Sequence, residues 1–162
     1  MADIICNTSP IQYLHQLGLL RLLPALVERI IVPTAVLAEI EIGRENKVDL
    51  PDLSMLDWVE IHQVKSSAVL PSAINLGIGE TKVLALALES KDAIVILDDL
   101  LASRAAERLG IKMIGTLGIL LEAKRKNLIS EIAPILNKLE KLRFRVSPKT
   151  KRAVLKLAGE EL

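Results

Sequence analysis

The stretch that most constrains the fold is AIVILDDLLASRAAERLG, residues 93–110. It opens with an apolar run, Ile94-Val95-Ile96-Leu97, and then presents two adjacent carboxylates, Asp98 and Asp99. Leu101, Ala102, Ala105, Ala106 and Leu109 follow at helical spacing, and Gly110 supplies a stop. A β-branched run without polar alternation predicts a strand covered on both faces, as in a parallel sheet. Ligands of such sheets bind in the crevice beyond the carboxyl ends of the strands. Asp98 and Asp99 fall there. One aspartate is enough to cap the helix, which leaves the other without a structural reason.

The same strand-then-helix unit recurs along the chain. Ile4-Ile5-Cys6 predicts a first strand, with Thr8 or Ser9 as N-cap and Pro10 in the first turn of the helix that follows. A second apolar helical piece covers 19–27, and Arg29 to Val32 predicts the second strand. Pro33 starts a helix that Gly43 should end. Arg44 to Asp57, polar and holding Pro51, is expected to be a mobile loop. An edge-like third strand covers 58–64, with His62 pointing outward. Leu76 to Gly79 makes a turn before an apolar helix over 80–89. Beyond the fourth unit come a fifth strand over 111–114, a helix from Gly115-Thr116 to Lys126, another near 130–142 and a last one from Pro148. Strands alternating with helices give a parallel α/β sheet.

A chain of 162 residues is expected to form one domain over 1–162, with a core over about 1–129 and a helical, basic extension over about 130–162. The net charge is +1, but Lys138 to Lys156 carries eight basic residues against the single acid Glu140. Such a segment is either a solvated helix face or a track for a phosphate backbone. The lone Cys6 excludes disulfides and thiolate metal sites and suits a buried hydrophobe. No signal peptide precedes the first strand and no apolar run approaches a membrane span, so a cytoplasmic protein without membrane contact is expected.

The informative acids are those beside apolar elements. Glu39 lies in the helix after the second strand, Glu80 opens the buried helix, Asp98 and Asp99 follow the fourth strand, and Asn7 follows the first. If the first and fourth strands are neighbours, their ends lie about 5 Å apart and Asn7 can face Asp98. Oxygen-only ligands suit Mg²⁺ or Mn²⁺. The structural alternatives are a helix-terminus role for Glu80 and a solvated one for Glu39. Helical rotation does not separate Glu39 from Glu41. Gly77 and Gly79 are too few for a phosphate-binding loop.

In order along the chain, Ile4 to Pro10, Val32-Pro33 with Val36 and Glu39, Gly79-Glu80, Leu97-Asp98-Asp99 with Ala102, Ala106 and Leu109-Gly110, and Gly115-Thr116-Leu117-Gly118 together resemble a PIN domain, the fold of VapC-type toxin ribonucleases. The later elements resemble a prokaryotic branch with DD..A...A..LG and GT.G.L signatures, and the similarity runs to about Ile129. The resemblance implies a three-layer α/β/α fold whose five-stranded parallel sheet has the order 3-2-1-4-5. It also implies a metal-dependent endoribonuclease for single-stranded RNA, using Mg²⁺ or Mn²⁺ and leaving a 5′-phosphate and a 3′-hydroxyl. Carried over residue by residue, catalytic and metal-binding positions fall on Asn7, Glu39, Glu80 and Asp98, with Asp99 as a second candidate at the last place. Thr8, Ser9 and Thr116 support them, and Lys124-Arg125-Lys126 would contact RNA. VapC-like proteins pair with themselves and with a small antitoxin, so a homodimer and an antitoxin are expected partners.

Asn7 departs from the family, whose first acid is an aspartate, and Ser103 stands where arginine is expected. Two unit charges about 4 Å apart interact by roughly 4 kcal/mol at an effective dielectric near 20, so replacing a carboxylate beside a divalent ion by an amide weakens binding. The alternative is therefore a PIN-fold RNA- or protein-binding module that cuts nothing or little. Only Tyr13, Trp58 and Phe144 are aromatic, too few for a base-stacking platform. A receiver-like phosphoacceptor needs acids after the first and third strands, which this chain lacks.

Overall fold

The computed structural model describes residues 2–65 and 76–160. Five strands, β1 (Asp3–Cys6), β2 (Ile30–Pro33), β3 (Val59–His62), β4 (Ala93–Ile96) and β5 (Lys112–Ile114), form a parallel sheet in the order β3-β2-β1-β4-β5. This is the order that the resemblance implies. Asp3 to Cys6 pair residue for residue with Ala93 to Ile96. The described helices are α1 (Thr8–Gln16), α2 (Leu22–Val27), α3 (Thr34–Glu45), α4 (Ile78–Glu89), α5 (Leu100–Arg108), α6 (Thr116–Arg125), α7 (Ala133–Lys141) and α8 (Pro148–Leu157).

Successive strand residues face opposite sides, and helices take both. Ile5 and Leu86 of α4 line one cavity, whereas Ile4 and Ile119 of α6 line another. Val95, Ile96 and Leu97 are fully buried, as a run without polar alternation demands, and each such side chain contributes about 1.5–3 kcal/mol. Ile132, Leu136 and Leu139 of the α7 region and Val154 of α8 join the same hydrophobic cluster. The C-terminal extension is thus seated on the core.

Three local expectations are corrected. Gly43 does not end its helix. α3 runs on to Glu45 and the left-handed residue beyond its end is Lys47. Gly43 is there for space, since a Cβ would stand 2.5 Å from Leu50 Cδ1. The segment expected as a mobile polar loop is packed instead, with Leu50, Pro51 and Leu53 buried and Asp52 accepting from Ser54 in a 3₁₀ turn over Leu53–Met55. Two apolar anchors three residues apart outweigh the polar average around them. Finally, α1 begins at Thr8, so Asn7 rather than Thr8 or Ser9 takes the cap position.

Cys6 is buried, and burial, reinforced by the nearby Asp98 charge, pushes its thiol far above the ordinary range. No helix among the described residues is long and apolar enough to cross a membrane.

Candidate active site

The order of strand addition reverses between β1 and β4, with β2 and β3 laid to one side and β4 and β5 to the other, which opens a crevice at their carboxyl ends. The Asn7 amide donates to the Ile96 carbonyl at 3.0 Å and carries the β1–β4 ladder to the edge of that crevice. Asn7 sits at the α1 cap with extended backbone, yet its side chain caps nothing. It is 3% exposed, and its Oδ1 has no hydrogen-bond partner. A buried acceptor left unsatisfied costs about 1–3 kcal/mol.

The adjacent residue brings in the first carboxylate. Thr8 Oγ1 donates to Glu39 Oε2 at 2.7 Å and holds the α3 side chain over the start of α1. Glu39 Oε1 and Asn7 Oδ1 both approach the backbone of Gly79, on the first turn of α4. This separates Glu39 from Glu41, which helical periodicity does not. Ser9 lies half-buried on α1.

The acid pair after β4 divides its work. Asp99 is the N-cap of α5, accepting from Ala102 N at 2.9 Å. Asp98 turns to α6 instead, accepting from Thr116 N at 2.8 Å and from Thr116 Oγ1 at 2.7 Å. Burial raises the Asp98 carboxyl above its ordinary value, and the two bonds from the fully buried Thr116 oppose that rise. Glu80 enters the first turn of α4, where the helix dipole favours an anion. Its Oε2 folds back against Gly77. The structure therefore brings Asn7, Thr8 and Glu39 together and sets Asp98 with Thr116 on the neighbouring strand end. Glu80 is turned to its own helix start. Among the described residues, no three His, Cys, Asp or Glu side chains gather as a metal cage.

The basic triplet lies elsewhere. Thr116 stands at the crevice end of α6, and Lys124 to Lys126 lie about 12–15 Å along the helix from it. Lys124 is bound to Glu160 and Arg125 to Glu122, both at 2.8 Å. A different basic surface emerges between α7 and α8. There Leu142, Phe144 and Val146 turn inward while Lys141, Arg143 and Arg145 are exposed. Phe144 pins this strap edge-on against Tyr13 of α1, with ring centroids 4.9 Å apart.

One family model, that of the PIN domain, matches residues 3–160, and the sheet order agrees with it. This chain belongs to the PIN domain family. The match extends past Ile129, where the motif resemblance stops, and takes in α7 and α8. No curated protein matches the chain. PIN is a nuclease fold that typically works with divalent metal ions, and the donors present here suit that chemistry. Asn7 Oδ1 and Glu39 Oε1 are hard oxygens, one of them buried and unpaired. Mg²⁺ is commonly held by one or two carboxylates and keeps several of its waters. Asn7 and Glu39, with Asp98 one strand away, are oxygen donors of the kind that such a cation takes.

Proposed function

We propose that this PIN domain is a Mg²⁺- or Mn²⁺-dependent endoribonuclease of the VapC type, the toxin of a toxin–antitoxin pair, cutting single-stranded RNA. The observation that carries the reading is the orphaned Asn7 Oδ1, buried beside the Glu39 carboxylate at the switch point of the sheet. Asn7 and Glu39 are the residues that would hold the cation, Thr8 fixes the Glu39 rotamer, and Thr116 fixes Asp98. The cation, when bound, polarises a phosphoryl oxygen and lowers the pKa of a water. Asp98 keeps carboxylate lone pairs that Thr116 leaves free, and these would accept from a water in the crevice. Asp99 serves the helix and Glu80 adds negative potential at the rim. The basic strap of Lys141, Arg143 and Arg145, pinned to α1 by Phe144, gives a phosphate backbone a way towards the crevice. Lys124 and Arg125 are already engaged and contribute less.

Cleavage of single-stranded RNA in Mn²⁺ tests this. Asp98→Ala should abolish cutting and Asp99→Ala should retain most of it. Charge reversal at Arg143 and Arg145 should weaken RNA binding and flatten its salt dependence. A second reading, a PIN-fold binding module, is favoured by the neutral Asn7 and by the Glu80 carboxylate folded onto Gly77. If only Asn7→Asp cuts, the natural protein is that module.

Partners belong to the same proposal. Ile78, Leu100 and Leu101 are exposed at the first turns of α4 and α5, beside the crevice. An apolar rim of this kind suits a second copy of the chain or an antitoxin segment. Sedimentation at tens of micromolar should show a dimer, and a strict monomer would remove the self-association.

A further inference from the structure

Three glycines stand against three of the four candidate carboxylates, Glu39, Glu80 and Asp98. A Cβ at Gly79 would lie 2.6 Å from Glu39 Oε1 and 3.1 Å from Asn7 Oδ1. One at Gly77 would lie 2.6 Å from Glu80 Oε2, and one at Gly115 would lie 3.1 Å from Asp98 Oδ1. None of these glycines has a left-handed φ. Backbone conformation therefore does not explain them. Gly18, Gly110 and Gly159, by contrast, do have positive φ and open space around them, which is the usual reason for glycine after a helix.

Gly79 is the most demanding of the three. It is buried, it lies in the first turn of α4, and two oxygens from different elements approach the same missing atom. Glycine is a poor helix residue, so its position in α4 works against helix formation. What it provides is room: the α4 backbone closes the crevice wall while the Asn7 amide and the Glu39 carboxylate remain pointed at one place.

We propose that Gly79 is a positioning residue of the metal site, holding Glu39 Oε1 and Asn7 Oδ1 in a shared orientation by leaving the space in which they meet. The inference rests on the metal-site reading of Asn7 and Glu39 given above. A methyl group at this position meets side-chain tips first rather than backbone, the flexible Glu39 carboxylate at 2.6 Å and the Asn7 oxygen at 3.1 Å. Glu39 swings aside, the fold is kept, and the two oxygens no longer converge. The substitution therefore separates site geometry from stability in a direction that a structural role for Gly79 would not.

The test is Mn²⁺ titration of the full chain and of Gly79→Ala by calorimetry, with the melting temperature of each recorded without metal. Gly79→Ala should melt unchanged or up to about 2–4 °C higher, because alanine favours helix. Its Mn²⁺ affinity should fall by about 10–100-fold, the usual effect of losing a group that orients a ligand. Equal Mn²⁺ affinity in the two proteins would overturn the role of Gly79 and leave the metal site standing. A lowered melting temperature would make Gly79 a packing residue and also overturn the inference. Absence of Mn²⁺ binding by the unsubstituted chain would instead overturn the metal-site reading, and the inference with it.

Discussion

Asp98 shows how a single residue divides its allegiance. Its carboxylate is held by two donors from Thr116, one of them a hydroxyl at 2.7 Å on a fully buried side chain. Burial works against the charged form and the Thr116 bonds work for it. Thr116→Val keeps the shape and removes the hydroxyl, so one Asp98 oxygen loses its donor in a partly buried place. We expect a loss of about 1–3 kcal/mol in unfolding free energy, the cost of stranding such a group, read by urea denaturation. In an Asp98→Asn background, where the charge is gone, the same substitution should cost less. Equal costs in the two backgrounds would mean that the Asp98 charge adds nothing to the bond. Asn7 is the complementary case: its unpaired oxygen is a stability loss within the chain, tolerable where a ligand supplies the missing partner.

At the scale of elements, what the sequence made legible was whatever depends on local pattern. The apolar run before Asp98-Asp99 became a buried strand and Pro10 fell in a first helical turn. The alternation of strands and helices became a parallel sheet. Local pattern fails where a distant residue decides. Gly43 resembles a helix stop until Leu50 is seen to occupy its missing side-chain volume. Asp98 and Asp99 are equivalent by type and neighbourhood, and only Thr116, 18 residues on, separates crevice acid from helix cap. Glu39 and Glu41 are likewise equivalent until Thr8 chooses between them. The missing information in each case is a tertiary contact. The glycines against the acids left a faint trace, in Gly79-Glu80 and Gly115-Thr116, but glycine serves turns too often for adjacency to be read as room for a carboxylate.

At the scale of the whole molecule, one long-range tie joins three C-terminal elements. Helix α7 has no side-chain cap of its own. Its first amides are satisfied from 28 residues away, where Glu160 accepts from Ile132 N at 2.8 Å and from Ala133 N at 3.1 Å. The same carboxylate takes Lys124 Nζ at 2.8 Å. One side chain thus joins the end of α6, the start of α7 and the chain beyond α8, fixing the frame from which the basic strap reaches α1. Desolvation opposes the Glu160 charge, but the bonds from Lys124, Ile132 and Ala133 outweigh it and hold the carboxyl below its ordinary value. A lowered folded-state pKa means that the unfolded chain binds the proton more readily. The stabilisation is therefore complete above the ordinary carboxylate value and is lost as pH falls through the lowered one. Glu160→Gln should cost about 1 kcal/mol near neutrality, the value of a cap with a partly screened ion pair. The difference from the unsubstituted chain should shrink between neutral pH and an acid pH below the ordinary carboxylate value, as Glu160 takes up its proton. Urea denaturation at the two pH values measures it. A gap that stays constant or widens in acid would show that the Glu160 charge does not tie the C-terminal helices to the core.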